Sequence, residues 1–242
     1  MWNERRLRIS FLSYVLLSFA ASAAFAQSFE VASIKPSRVT TGNSGWHSDP
    51  GEMVISNMSL QELMEESFEV RDFSLSGPAW LDNARFDINA RMQPGTAAHD
   101  RNLMIQALLK ERFGLTIHHE TRTLQGFALV PAKNGFKLQP VAEDPRGSSW
   151  STGKGKITAK QTPVSRLADL LSNEIGRPVN DATGIKGIFD FTLTYSPDSG
   201  GDDSRASIYT ALEEQLGLRL EARKVPVDVI VVDHVERMPS EN

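Results

Sequence analysis

Apolar residues recur along this chain with two periods. Leu60, Leu63, Met64 and Phe68 fall at the i, i+3, i+4 and i+8 spacing of one helix face, and so do Ile105, Leu108, Leu109 and Phe113. Val164, Leu167, Leu171 and Ile175 make a third stripe, and Ile208, Ala211, Leu212 and Leu216 a fourth. Between the stripes, residues 29–34, 52–56, 70–75, 84–92, 115–121, 127–131, 156–159, 178–180 and 188–195 read as strands. The alternation is clearest in 29–34 and 188–195. Residues 229–232 are continuously apolar, which suits a strand covered on both faces.

The punctuation agrees with the periods. Ser59 with Glu62 three residues on is a capping-box pattern, and Thr162-Pro163 predicts an N-cap followed by proline in the first helical turn. Gly114 and Gly176 sit where helices must stop. Gly77-Pro78 turns the chain, residues 39–51 read as a loop, and Asn134-Gly135 predicts a hairpin leading into 136–138.

The pattern occurs twice. Residues 85–130 lie on 188–233 without a gap, at an offset of 103. Phe86-Asp87 falls on Phe189-Asp190, Leu109 on Leu212, and Gly114-Leu115 on Gly217-Leu218. With small gaps the match runs upstream, 51–63 against 155–167, to Ser44-Gly45-Trp46 against Ser148-Ser149-Trp150. The expected fold class is α+β, as two tandem copies of a β-α-β-β-α-β-β unit with helices packed on one face of small mixed sheets. Residues 27–142 hold the first copy with an extra N-terminal strand. The polar, Gly/Ser-rich stretch 143–155 is a linker, and 156–242 hold the second copy.

The N-terminus predicts an address. Arg5, Arg6 and Arg8 precede an apolar run over 9–20 that is short for a membrane span, and Ala24-Phe25-Ala26 supplies an A-x-A cleavage pattern. Residues 1–26 thus read as a signal peptide, with Gln27 first in a periplasmic or secreted chain that keeps no stable membrane insertion. Losing Glu4 and the three arginines takes the formal charge from −4 to −6. A mildly acidic, well-mixed surface lacks the basic face that nucleic acid requires. The chain has no cysteine, so stability must come from the core rather than disulfides, and thiolate chemistry is excluded.

Catalytic motifs are sparse. The chain has no G-x-S-x-G elbow, H-E-x-x-H pair or glycine-rich phosphate loop, and no cofactor is implied. His118-His119-Glu120 could suggest a metal, but neighbours on a strand point to opposite faces, and no metal ligand is assigned. Asp87 and Asp190 are equivalent by the offset and tempt as a carboxylate pair. Alternation reads them instead as outward-facing, solvated or salt-bridged groups. Trp46, Trp80 and Trp150 lie in or beside turns, Trp46 next to His47. These four are the candidate binding residues, and Trp46 and Trp150, which precede equivalent strands, suggest a pair of aromatic platforms for an extended ligand such as a glycan or peptide. The alternative is that each tryptophan caps the end of its own core.

Two resemblances follow. The run Phe29-Glu30-Val31-Ala32-Ser33-Ile34-Lys35-Pro36-Ser37, then Gly77-Pro78-Ala79-Trp80-Leu81 with Arg85-Phe86-Asp87-Ile88, Leu109-Lys110-Glu111-Arg112-Phe113-Gly114-Leu115, Val179-Asn180-Asp181-Ala182-Thr183-Gly184 and Gly187-Ile188-Phe189-Asp190-Phe191 resembles a soil-associated bacterial family of secreted proteins of unknown function. That family's domain looks like the extracytoplasmic tail of some membrane metallopeptidase sensors, which implies sensing or binding; their membrane helices and zinc motif are missing here. Residues 162–235 are similar in order and spacing to the short N-terminal domain of secretins and TonB-dependent receptors. That likeness implies a compact module for protein contacts in the envelope. The expectation is an exported, non-enzymatic binding or interaction module with an envelope protein, peptide or glycan partner. Two alternatives stand beside it: a small cell-wall hydrolase working in a groove between the copies, and a self-associating structural component.

Overall fold

A computed structural model describes residues 28–39, 42–197 and 205–241. The segment read as a signal peptide, with its cleavage after Ala26, lies outside them, as do residues 198–204. The chain forms an α+β protein of two compact units. Unit 1 takes the residues up to His118 and those from Ile230 on, and unit 2 takes His119–Val229. The stretch 143–155 lies inside unit 2.

Unit 1 contains β1 (Val31–Pro36), β2 (Gly45–Asp49), β3 (Glu52–Ser59), α1 (Leu60–Ser67), β4 (Leu75–Ser76), β5 (Arg85–Arg91), α2 (Ala98–Phe113) and the start of β6 (Thr116–Pro131). Four strands form an antiparallel sheet in the order β1-β5-β3-β2. One of its faces is buried: Met53, Ile55, Phe86, Ile88 and Ala90 point inward, while Glu52, Asp87 and Asn89 point out. The helices close that face with Leu63, Met64, Ile105, Leu109 and Phe113, and Phe86 meets Phe113 edge-on with ring centroids 4.9 Å apart. Ser59 and Glu62 make the reciprocal capping box, and the left-handed Gly114 (φ +61°) ends α2.

Unit 2 holds the rest of β6 and β7 (Ser149–Thr152), β8 (Lys156–Thr162), α3 (Val164–Ile175), β9 (Val179–Asp181) and β10 (Phe189–Thr194). After these come α4 (Ile208–Ala211), prolonged by a π-turn over Leu212–Leu216, and β11 (Leu218–His234), whose last residues return to unit 1. An antiparallel sheet ordered β10-β8-β7 buries Ile157, Ala159, Phe189, Phe191 and Leu193 against Leu167, Leu171, Leu212 and Leu216. A third sheet has the order β4-β11-β6-β9.

Several elements differ from the sequence expectation. The strands expected at 115–121 and 127–131 are one sixteen-residue strand, β6. Its polar middle shows no alternation, but β11 alongside supplies a hydrogen-bonding partner that no periodicity reports. The loop expected at 39–51 contains β2, exposed at every residue and therefore without an apolar signature. Residues 70–75 form a 3-10 turn over Asp72–Ser74 and the two-residue β4. Asn134-Gly135 does turn the chain, with the Gly135 N–H donating to the Ala132 carbonyl at 3.0 Å, but 136–138 form no strand. Phe136 instead packs edge-on against Phe189, centroids 5.3 Å apart. The N-cap of α3 is Pro163, because Thr162 is the fully buried last residue of β8 and its hydroxyl donates to the Lys160 carbonyl.

Each antiparallel sheet carries one bulge, closed by a carboxylate. Between Ile55 and Met58 the β3–β5 register shifts. Asn57 takes a left-handed φ of +52°, and its N–H donates to Asp87 Oδ1 at 2.8 Å. In unit 2 the β8–β10 register shifts between Phe189 and Phe191. Gln161 takes φ +48°, and its N–H donates to Asp190 Oδ1 at 2.9 Å. A bulge leaves one residue outside the ladder, and in both places an aspartate from the facing strand satisfies the orphaned N–H.

Candidate functional site

Unit 1 carries a shallow cleft of about 400 Å3 where the end of β1, the turn before β5 and the C-terminal tail meet. Its position follows from local chemistry. Gly77-Pro78 starts a 3-10 turn over Ala79–Asp82. A Cβ on Gly77 would stand 2.6 Å from the Leu81 side chain and 3.3 Å from Val232, so a larger residue here would have to displace the Leu81 methyl. Leu81, 2% exposed, anchors the turn in the core and leaves its neighbour Trp80 half-buried at the cleft wall. On the other side the Ser37 N–H donates to the Arg85 carbonyl at 2.8 Å, which fixes the chain leaving β1.

The cleft floor is Phe86 and Ala84, and its rim includes Val39 and Met238, 54% and 59% exposed. Two arginines, Arg85 and Arg237, line it, and no lining residue among the described ones is acidic. Their states differ. Arg85 is spoken for: Nη1 donates to the Asn57 carbonyl at 2.7 Å and to Glu62 Oε2 at 3.2 Å. Burial weighs against the charged form of Glu62. The Ser59 N–H, the Ser44 hydroxyl and Arg85 outweigh it and hold the carboxyl below its ordinary range. Arg237 lies with its guanidinium carbon 5.0 Å from the Trp80 ring centroid. An aromatic face beneath a cation, between exposed apolar side chains, suits an apolar ligand that brings an anionic or carbonyl oxygen.

The four residues singled out from the sequence are dispersed. Only Trp80 lines the cleft. Trp46 and His47 are consecutive on the sheet-edge strand β2, where alternation turns them to opposite faces, and His47 Nε2 meets Asp49 Oδ1 at 3.0 Å. Trp150 is on β7 in unit 2, 47% exposed, with the Arg166 guanidinium 4.1 Å above its ring. His118 and His119 go to separate carboxylates: His118 Nδ1 is 2.8 Å from Asp233, and His119 Nδ1 is 3.3 Å from Asp228. Sequence reasoning missed Arg237, Val39 and Met238. They sit in aperiodic segments, where burial patterns say nothing about which side chains converge.

The class defined by this fold and cleft is an α+β protein of two compact units with a shallow aromatic–cationic cleft. No curated protein and no solved structure matches the chain. A family model described as protein of unknown function (DUF3738) matches residues 61–235, and the chain belongs to that family. The matched span includes Trp80, Arg85 and Phe86 and ends two residues before Arg237. No helix among the described residues is long and apolar enough to cross a membrane.

Proposed function

We propose that this protein is an exported, non-enzymatic binding module of the cell envelope. In this reading the cleft beside Trp80 takes an extended segment of a partner protein or a peptide. The observation that carries it is the Trp80–Arg237 stack between Val39 and Met238, in a cleft whose other cation, Arg85, is already neutralised by Glu62. A segment with an apolar side chain against Trp80 and a carboxylate near Arg237 satisfies both. The similarity of residues 162–235 to the short N-terminal domain of secretins and TonB-dependent receptors supports an envelope setting. So do the basic, apolar and A-x-A features of residues 1–26. A non-enzymatic role fits the aspartates, since Asp87 and Asp190 are both engaged in holding a bulge N–H.

The test is calorimetric titration of the mature protein with short apolar peptides, each as free acid and as C-terminal amide. Free acids are expected to bind more tightly than amides, and Arg237→Ala to abolish the difference. Trp80→Ala should weaken both series. Equal heats for wild type and both variants would overturn the reading. The export component predicts Gln27 as the N-terminal residue found by mass spectrometry of secreted protein, and full-length chain in the membrane fraction would contradict it.

A further inference from the structure

The antiparallel sheet of unit 2 has two edges, one closed at both ends and the other bare. Beside β10, the Thr194 N–H donates to Gln215 Oε1 at 3.0 Å, and Gln215 Nε2 donates back to the Thr194 carbonyl at 2.7 Å. Just before β10, the Val141 N–H donates to the Ile188 carbonyl at 3.0 Å. The other edge is β7, Ser149-Trp150-Ser151-Thr152, exposed at every residue. Its register shows which backbone groups are free. Gly153 and Lys156 exchange both of their N–H···O bonds, so Ser151 with Thr158 and Ser149 with Lys160 are the hydrogen-bonded pairs of the ladder. The N–H and C=O of Trp150 and Thr152 therefore point away from β8, and among the described residues no strand pairs on that side. Exposed edges are ordinarily blunted by charge, proline or a bulge, and β7 has none of these.

We propose that β7 is a strand-addition site. It takes an extended peptide segment as the next antiparallel strand, with an acidic side chain of that segment facing Trp150 and Arg166. Main-chain bonds to Trp150 and Thr152 supply affinity, and the side chain supplies selection. Residues opposite each other on paired strands share a face, and Ala159, opposite Trp150, is buried, so Trp150 projects toward the α3 side of the sheet. There Arg166, in the first turn of α3, lays its guanidinium 4.1 Å from the Trp150 ring centroid. Stacking occupies the guanidinium plane and leaves its donors at the rim. Nη1 reaches Asp169 only at 3.5 Å, and Nε is buried without an acceptor. A peptide residue paired with Trp150 places its side chain on this same face, and a carboxylate is the acceptor that matches a guanidinium. Unit 1 shows the contrast. At the offset of 104 that lays Trp46 on Trp150, Glu62 stands in the place of Arg166, and its carboxylate is taken by Ser44, Ser59 and Arg85. The β7 site stands on its own register and charge and is independent of the Trp80 cleft.

The experiment follows amide exchange by NMR in the full mature chain carrying Trp80→Ala, so that the unit 1 cleft does not contribute. The probe is a short capped peptide alternating threonine with valine around one central glutamate. Its controls carry lysine in that place, or an N-methyl group on the glutamate nitrogen. In the free protein the Ser151 amide is expected to exchange slowly and those of Trp150 and Thr152 fast. The glutamate peptide should slow Trp150 and Thr152 and leave Ser151 unchanged. The lysine peptide should bind about tenfold more weakly, and Arg166→Gln should remove that preference. The N-methyl peptide should give no protection. Nor should the glutamate peptide on Thr152→Pro, which deletes an outward N–H and spares the β7–β8 ladder. If that variant fails to fold, the N-methyl peptide decides the same point in unaltered β7. Slow exchange of Trp150 and Thr152 in the free protein overturns the open edge. No protection at millimolar peptide, or equal binding of the N-methyl peptide, overturns strand addition. A glutamate preference that survives Arg166→Gln overturns the role given to Arg166. Shifts at Trp150 with a chito-oligosaccharide and none with the peptides would make Trp150 a sugar platform and overturn the proposal.

Discussion

Asp87 and Asp190 show how one side chain can look catalytic in a sequence and be structural in a fold. Each projects outward between inward-facing neighbours, as alternation requires, but its carboxylate accepts the N–H that a bulge leaves without a partner. Asp190 also binds Lys160 Nζ at 2.8 Å, and Lys160 with the Gln161 N–H holds its carboxyl below the ordinary range. Replacing Asp87 by alanine strands the N–H of the nearly buried Asn57. Hydrogen bonds to charged groups contribute roughly 1.5–3 kcal/mol, so Asp87→Ala should lower stability to urea by about that much. An unchanged midpoint would mean the bulge finds another acceptor. Glu62 predicts a pH dependence. Its folded pKa is lowered, so the unfolded chain takes up the proton first. Its contribution is therefore complete above the ordinary carboxylate pKa of about 4.3 and fades as pH falls through the lower folded value. Wild-type Tm should fall more steeply than that of Glu62→Gln between about pH 5 and pH 3, while equal slopes would exclude Glu62 as a source of acid sensitivity.

Elements were legible where the burial period lies along the chain and illegible where the partner lies elsewhere. The faces of α1, α2 and α3, the capping box at Ser59 and the stops at Gly114 and Gly176 could all be read, since each is set by residues within a few positions. The middle of β6 and all of β2 could not, because exposed strands owe their existence to a neighbouring backbone. The cleft was legible only through Trp80, since Arg237 reaches it from a tail without pattern. Helix stops allow a controlled comparison. Gly176 and Gly217 have nearly the same conformation, φ +66° and +68°. A Cβ at Gly176 meets nothing within 4 Å, whereas one at Gly217 would stand 2.1 Å from the Gly135 carbonyl oxygen. Gly176→Ala should cost only the left-handed penalty, about 1–2 kcal/mol. Gly217→Ala should cost clearly more, because backbone must move. Equal losses on chemical denaturation would show that the 134–135 turn yields freely. Leu109 and Leu212 are both fully buried, and Leu→Ala at either should cost about 2–5 kcal/mol.

At the scale of the whole molecule, sequence order and spatial order part company. The last strand begins in unit 2 and finishes in unit 1, where Ile230, Val232 and Val235 are buried beside residues from the first hundred positions. Further on, the tail is tied down: the Glu236 N–H donates to the Phe113 carbonyl at 2.8 Å, and the Ser240 N–H to the Arg112 carbonyl at 2.7 Å. A chain ending at Val229 keeps every residue of unit 2 yet strips β4 of its partner and opens the core under Leu81 and Gly77. If domains followed sequence halves, such a truncation would damage the C-terminal half and spare the N-terminal one. The fold predicts the reverse. Hydrogen exchange read by mass spectrometry should show protection lost in β1, β3, β5 and α2 and retained in β8, α3 and β10. Preserved protection in α2 alongside loss in α3 would return the boundary to the middle of the sequence.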